Sequence, residues 1–387
     1  MGQNKSKPVR MASPQERDWA TRHGFEQEEF DAMMKLIHAN QVNEKMFQSS
    51  ANQIAEGEFG AVMLGTYQGQ QVAVKHINDK SAGQGGGYPA LFRTIVLELS
   101  IISGLKHPNV VEFKGCTLYM PGAAEDQKRF QLGMIFEMCA DSLWSTMHRK
   151  FTKFSFEDKI RIMKEIAQGA SYLHERQIVH RDLSSSNILV SSNYTAKIAD
   201  FGFARKCTNG TYDSKTIAGT PGYMSTEQVA GRLLSTKTDV WALGCLFWEL
   251  LTEKGSSNFP WNTKDPQRRG EYAMKVATDK ATLQRDARIP PGFLDGIVDA
   301  LSGAFQSEPG RRLSSSQLLG RLNTLSQPRT KGAGQENVQP NVQQQQQRNG
   351  NGAIKPLGGA MQQGGVRVQP MAAAGAPPPP GQDPRGE

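Results

Sequence analysis

The chain has 387 residues, enough to bury a sizeable core in two lobes with appendages, yet only 37% are hydrophobic, and 39 glycines and 20 prolines point to stretches that form no core. Its formal charge of +8 admits nucleic acid, anionic lipid or phosphate as partners without choosing among them. Excluded are a zinc-type cysteine pair and a disulfide framework, because Cys116, Cys139, Cys207 and Cys245 are widely spaced, and a bilayer-spanning helix, because the longest apolar stretch, Val240 to Leu251, is too short.

The chain opens Met1-Gly2-Gln3-Asn4-Lys5-Ser6-Lys7-Pro8, polar and basic rather than signal-like. This matches the N-myristoylation pattern, with Gly2 freed once Met1 is removed and Ser6 at the hydroxyl position. Up to Pro8 it resembles the start of the Src family of tyrosine kinases. One myristoyl chain holds a membrane only marginally. Lys5, Lys7 and Arg10 can add about 1 kcal/mol each on an anionic leaflet. The expected location is cytoplasmic, with reduced thiols and attachment to the inner leaflet; the alternative is a solvated basic start.

From Pro14 to Val42 the pattern predicts a helix, with Phe30, Met33, Met34 and Ile37 on one stripe. It either packs on the following domain or serves as a regulatory or partner-binding helix. Strands are expected from Phe47 to Leu64, around the glycine-bearing turn Ile54-Ala55-Glu56-Gly57-Glu58-Phe59-Gly60-Ala61-Val62. Glycines there let backbone N–H groups approach phosphate. The next strand, Gln71-Val72-Ala73-Val74-Lys75, ends in a lysine. After a connector from Ser81 to Gly87, a helix is predicted over Leu91 to Leu105, burying Ile95, Leu99, Ile102 and Leu105 and carrying Glu98; His107-Pro108-Asn109 ends it. Strands over Val110 to Tyr119 and Arg129 to Phe136 flank a polar turn. Helical pattern resumes from Asp141, strongest over Asp158 to His174.

The stretch His180-Arg181-Asp182-Leu183-Ser184-Ser185-Ser186-Asn187-Ile188-Leu189-Val190, followed by Asp200-Phe201-Gly202, carries the chemistry. Asp182 can accept a hydroxyl proton, and Asn187 and Asp200 offer hard oxygen ligands suited to Mg²⁺. These residues resemble the catalytic loop and metal triplet of the eukaryotic protein kinase superfamily, with features of its tyrosine-kinase-like group such as Trp248-Glu249-Leu250-Leu251. The resemblance runs from about Phe47 to Leu325. It implies an α+β, bilobal protein kinase fold: an N-lobe of antiparallel sheet plus one helix, and a mainly helical C-lobe. The expected domains are residues 1–46, 47–325 and a Gln/Gly/Pro-rich tail, 326–387.

It also implies roles. Residues 54–62 would cover ATP, with Ala55 where the family has its first glycine. Lys75 would hold the phosphates and Glu98 would hold Lys75. Glu137-Met138-Cys139, after Phe136, would be the hinge bonding adenine, and Ala73 and Leu189 would contact the nucleotide. Thr220 and Glu227 would close an activation segment, with Arg312 paired to Glu227. Arg181 would await a phosphate on Thr208, Thr211, Tyr212, Ser214 or Thr216. Two departures stand out: Ser184, Ser185 and Ser186 supply no loop cation, and Ser225-Thr226 replace Ala-Pro before Glu227. The implied function is transfer of the ATP γ-phosphate to protein Ser/Thr hydroxyls, with Tyr or dual specificity as runner-up. The rival is a nucleotide-binding pseudokinase scaffold. No nucleic-acid module is recognisable. The tail holds Gln343 to Gln347 and Pro377 to Pro380, a polyproline run that could meet an SH3 or WW domain or simply stay solvated.

Overall fold

A computed structural model describes residues 10–57, 60–78, 87–119, 131–214 and 216–325. The chain divides into two units, residues 1–331 and 332–387, and every described residue lies in the first. Gly2, Lys5, Lys7, Glu58, Phe59, the polar turn near residue 125 and the whole tail lie outside the described residues.

Two helices come first, α1 (Pro14–Arg22) and α2 (Gln27–Asn40), where the pattern predicted one. The break falls at Gly24, whose φ of +77° is the left-handed region that glycine enters without strain. Ser13 caps α1 in a reciprocal box with Glu16. The stripe Phe30, Met33, Met34 and Ile37 is buried as its spacing required.

The smaller lobe is an antiparallel sheet of β1 (Phe47–Gly57), β2 (Gly60–Tyr67), β3 (Gln70–Asn78), β4 (Phe113–Tyr119) and β5 (Gln131–Glu137), in the order β1-β2-β3-β5-β4. Between β3 and β4 lies α3 (Gly87–Ile102), which starts and stops a turn before the predicted helix. Phe92, Ile95 and Leu99 of α3 share a core with Trp19, Phe30 and Met34 of the first two helices.

The larger lobe is mainly helical. After β6 (Asp141–Ser142) and α4 (Leu143–His148) comes α5 (Phe156–Glu175), whose Ile162, Ile166, Ala170 and Leu173 face the core. Short strands β7 (Ile178–Val179), β8 (Ile188–Val190), β9 (Ala196–Ile198) and β10 (Arg205–Lys206) frame the catalytic loop. The helix α6 (Thr226–Val229) leads to α7 (Thr236–Thr252), which is apolar nearly all round and buried nearly all round. Around it pack α8 (Pro266–Thr278), α9 (Lys280–Ala287), α10 (Pro291–Ala304) and α11 (Ser315–Thr324). This is the two-lobed α+β architecture expected.

Candidate active site

The turn expected to cover ATP joins β1 and β2, whose register sets Ala55 opposite Val62, Glu56 opposite Ala61 and Gly57 opposite Gly60. Ile54 and Ala55 are exposed, Ala61 and Val62 partly covered. On β3, Ala73 lies between Leu64 and Phe136 of its neighbours, and Lys75 lies opposite Val62 and Met134.

Three charges separated in sequence converge here. Lys75 Nζ lies 3.0 Å from Glu98 Oε1 and 3.2 Å from Oε2, and 3.0 Å from Asp200 Oδ1. Burial opposes the Lys75 charge, but the two carboxylates outweigh it and hold the ammonium above its ordinary value. Burial lifts Glu98 above the usual carboxylate range against the pull of Lys75. Burial pushes Asp200 the same way, yet Lys75 wins there and the carboxyl sits below its ordinary value. Asp200 keeps exposed side-chain surface beside Lys75.

Around Asp182 the geometry is closed by hydrogen bonds. Its Oδ1 accepts from the Thr220 N–H and hydroxyl, both at 2.7 Å, and its Oδ2 accepts from Asn187 Nδ2 at 2.8 Å. Asn187 Nδ2 also donates to the Asp182 carbonyl at 2.8 Å, which leaves the amide oxygen as the group for a cation. Arg181 and Asp200 have φ of +72° and +60°, a region costly for side-chain residues and found where function holds them. For Arg181 the restraint is Asp239 at the start of α7, only 1% exposed. Its carboxylate accepts from the backbone N–H of His180 at 2.8 Å and of Arg181 at 2.9 Å, and from His174 at 2.9 Å. Burial opposes its charge, but these donors hold Asp239 below the ordinary carboxylate range.

The residues expected to close and regulate the activation segment are also located. Arg312 pairs Glu227 through two bonds of 2.8 and 3.0 Å, both side chains buried. Ser225 caps α6, and Thr226 donates to the Ser307 carbonyl at 2.8 Å, so the pair that departs from the family holds this segment by hydrogen bonds. Arg181 donates to Ser214 Oγ at 2.7 Å and lies over the Tyr212 ring, with its buried Nε lacking a partner among the described residues. Thr208 and Thr211 bond each other and Thr216 accepts from Ser214, so among the expected phosphate sites Ser214 alone bonds Arg181.

At the expected hinge, the Glu137 N–H donates to the Glu112 carbonyl at 2.9 Å, and the Glu137 side chain meets Lys197 at 3.0 Å. Cys139 is half-buried, its thiol pushed up to about 11 by burial and then by Glu137. Leu189 packs at the edge of the larger core.

Sequence reasoning did not find a cluster beneath the catalytic loop. Glu249, wholly buried, accepts from Ser185 at 3.0 Å, from the Tyr223 hydroxyl, and bonds His148 at 2.9 Å. Ser185 thus stands on α7 rather than in the cleft. Ser184 is 2% exposed and its hydroxyl has no partner among the described residues, whereas Ser186 is exposed. Gln228 was missed too; it bridges the Arg181 carbonyl at 2.9 Å and the Ala218 carbonyl at 2.6 Å.

A lysine paired to two carboxylates, an aspartate fixed by hydrogen bonds and two hard oxygen donors have the make-up of a phosphoryl-transfer centre. Residues 49–321 match the protein kinase domain family, and the chain belongs to it. It is 29% identical over 277 residues to the serine/threonine-protein kinase CTR1 of Arabidopsis thaliana, covering 70% of this chain and 31% of that protein. It is 29% identical over 273 residues to mitogen-activated protein kinase kinase kinase 13-A of Xenopus laevis, covering 70% of this chain and 25% of that one. With the cytokinesis protein sepH of Aspergillus niger the identity is 29% over 291 residues, covering 72% and 20%. The chain thus spans 20–31% of these relatives' lengths.

Proposed function

We propose that the chain is an active ATP-dependent protein kinase acting on serine and threonine hydroxyls of protein substrates. The observation that carries this is the convergence of Lys75, Glu98 and Asp200 within hydrogen-bond distance, beside Asp182 held by Thr220 and Asn187. Lys75 offers a fixed positive charge to phosphate, oriented by Glu98. Asp182 accepts the proton of the substrate hydroxyl. Asp200 and the Asn187 amide oxygen are the donors that would hold Mg²⁺; two protein ligands, both hard oxygens, suit an ion whose other ligands are phosphate and water. Its chemistry there is charge neutralisation on the transferring group. The Thr220 hydroxyl on Asp182 and the names of the relatives favour Ser/Thr over Tyr.

A second reading, a nucleotide-binding scaffold with weak or no catalysis, is favoured by Ser184, Ser185 and Ser186, which supply no cation to the transferring phosphate, the first two being buried. The test is labelled ATP with Mg²⁺ against a panel of Ser, Thr and Tyr peptides. Label on Ser and Thr peptides supports the kinase; label on none supports the scaffold; label on Tyr alone overturns the acceptor assignment.

The Gly2 motif with Lys5, Lys7 and Arg10 supports placement at the cytoplasmic face of an anionic membrane, and Pro377 to Pro380 supports an SH3 or WW partner. The native protein is expected to carry an acyl mass that Gly2→Ala removes; a native mass without one refutes the anchor.

A further inference from the structure

The active site depends on a distance between two elements: Lys75 rides on the sheet and Glu98 on α3. A helix–sheet distance is set by whatever holds both. The α1–α2 hairpin does so, and it lies outside residues 49–321, the part the family accounts for.

On the helix side, the hairpin covers the stripe of α3 formed by Phe92, Ile95 and Leu99, all 2% exposed or less. Trp19, Phe25 and Phe30 ring Phe92 at centroid distances of 5.8, 5.1 and 6.1 Å. Arg93, next in sequence, donates two bonds to Glu29 of α2, at 2.5 and 2.6 Å. On the sheet side, the end of the hairpin runs along β4, an edge strand. The Val42 N–H donates to the Cys116 carbonyl at 2.9 Å, and Cys116 Sγ contacts the Ile37 carbonyl at 3.5 Å. Gly115 makes this approach possible, since a Cβ there would stand 2.4 Å from Val42 Cγ1 and 2.9 Å from the Asn40 carbonyl. Both faces are held by one hairpin.

We propose that the α1–α2 hairpin is an intramolecular clamp that sets the Lys75–Glu98 contact, with Glu29, Trp19 and Phe30 as positioning residues. Its catalytic consequence rests on the kinase reading above. Loosening the hairpin lets α3 swing, and Glu98 then releases the ammonium.

The test uses the full chain at a temperature where each variant is folded by circular dichroism. Trp19→Ala/Phe30→Ala is expected to lower kcat/KM for ATP about tenfold, and Glu29→Arg by less. The swap Glu29→Arg/Arg93→Glu is expected to regain the Glu29→Arg loss to within about twofold, which loss of packing alone does not do. Hydrogen exchange of residues 87–102 is read in parallel and needs no activity. Faster exchange in Glu29→Arg, reversed in the swap, supports the clamp even if the parent transfers no phosphate, a result that would defeat only the kinase reading. Unchanged exchange in α3 in both the single charge variant and the aromatic pair overturns the clamp. So does unchanged kcat/KM in those variants of an active parent.

Discussion

Asp239 illustrates how a residue far from the reacting atoms governs them. Its two oxygens take the backbone N–H groups of His180 and Arg181, and so hold Arg181 in the left-handed region. Asp239→Asn puts an amide donor against an N–H donor. The expected cost is about 1–3 kcal/mol of stability together with a fall in kcat, read by denaturant unfolding and steady-state rates. Arg181 presents a buried guanidinium that donates to the Phe203 carbonyl and to Ser214 Oγ, both neutral, and burial pulls it below its ordinary value. A phosphate on Ser214 would answer that. Ser214→Ala is expected to abolish activation by loop phosphorylation, while Thr211→Ala and Thr216→Ala leave it intact, as phosphopeptide mapping with rate measurements would show. The family motif made Asp182, Asn187, Asp200 and Lys75 legible in the sequence. Asp239's part was not, because its partners are 58, 59 and 65 residues away.

At the scale of elements, periodicity was a good guide where one face is buried. The stripe on α2 and the inner face of α5 could be read directly from spacing. The break at Gly24 could not, since helical spacing on both sides concealed a left-handed residue. Close approach was equally hidden. Gly169 within α5 faces the Asn109 carbonyl, which a Cβ would meet at 2.5 Å. That carbonyl accepts from the Ile198 N–H at 2.9 Å, so it is not free to move. Gly169→Ala gains helix propensity of about 1 kcal/mol, but overcrowding costs about 1–3 kcal/mol, so net destabilisation is expected in thermal unfolding. A stabilised variant would contradict this contact.

The whole molecule is joined by buried carboxylates as much as by its apolar core. Burial opposes the Glu227 charge, but Arg312 holds the carboxyl below its ordinary value, and Asp239 is depressed in the same way by its donors. A depressed folded value contributes stability that is present above the unfolded value and lost as pH falls through the folded one. Thermal stability is therefore expected to be level near neutrality and to fall from about pH 4 downward. Glu227→Gln should flatten part of that fall, as unfolding scans against pH would show; an unaltered acid slope would contradict the assignment. Two-lobed organisation followed from the sequence resemblance, which the catalytic-loop and metal-triplet motifs carry. The hairpin's grip on both α3 and β4 did not, since it depends on tertiary packing alone.

The most direct measurement compares initial rates of γ-phosphate transfer to a Ser/Thr peptide by the parent protein and by Asp182→Asn, both saturated with ATP and Mg²⁺. Loss of the proton acceptor is expected to lower the rate about 10²- to 10⁴-fold while nucleotide affinity stays the same. Equal rates from the two proteins would contradict the placement of Asp182 at the centre of the chemistry.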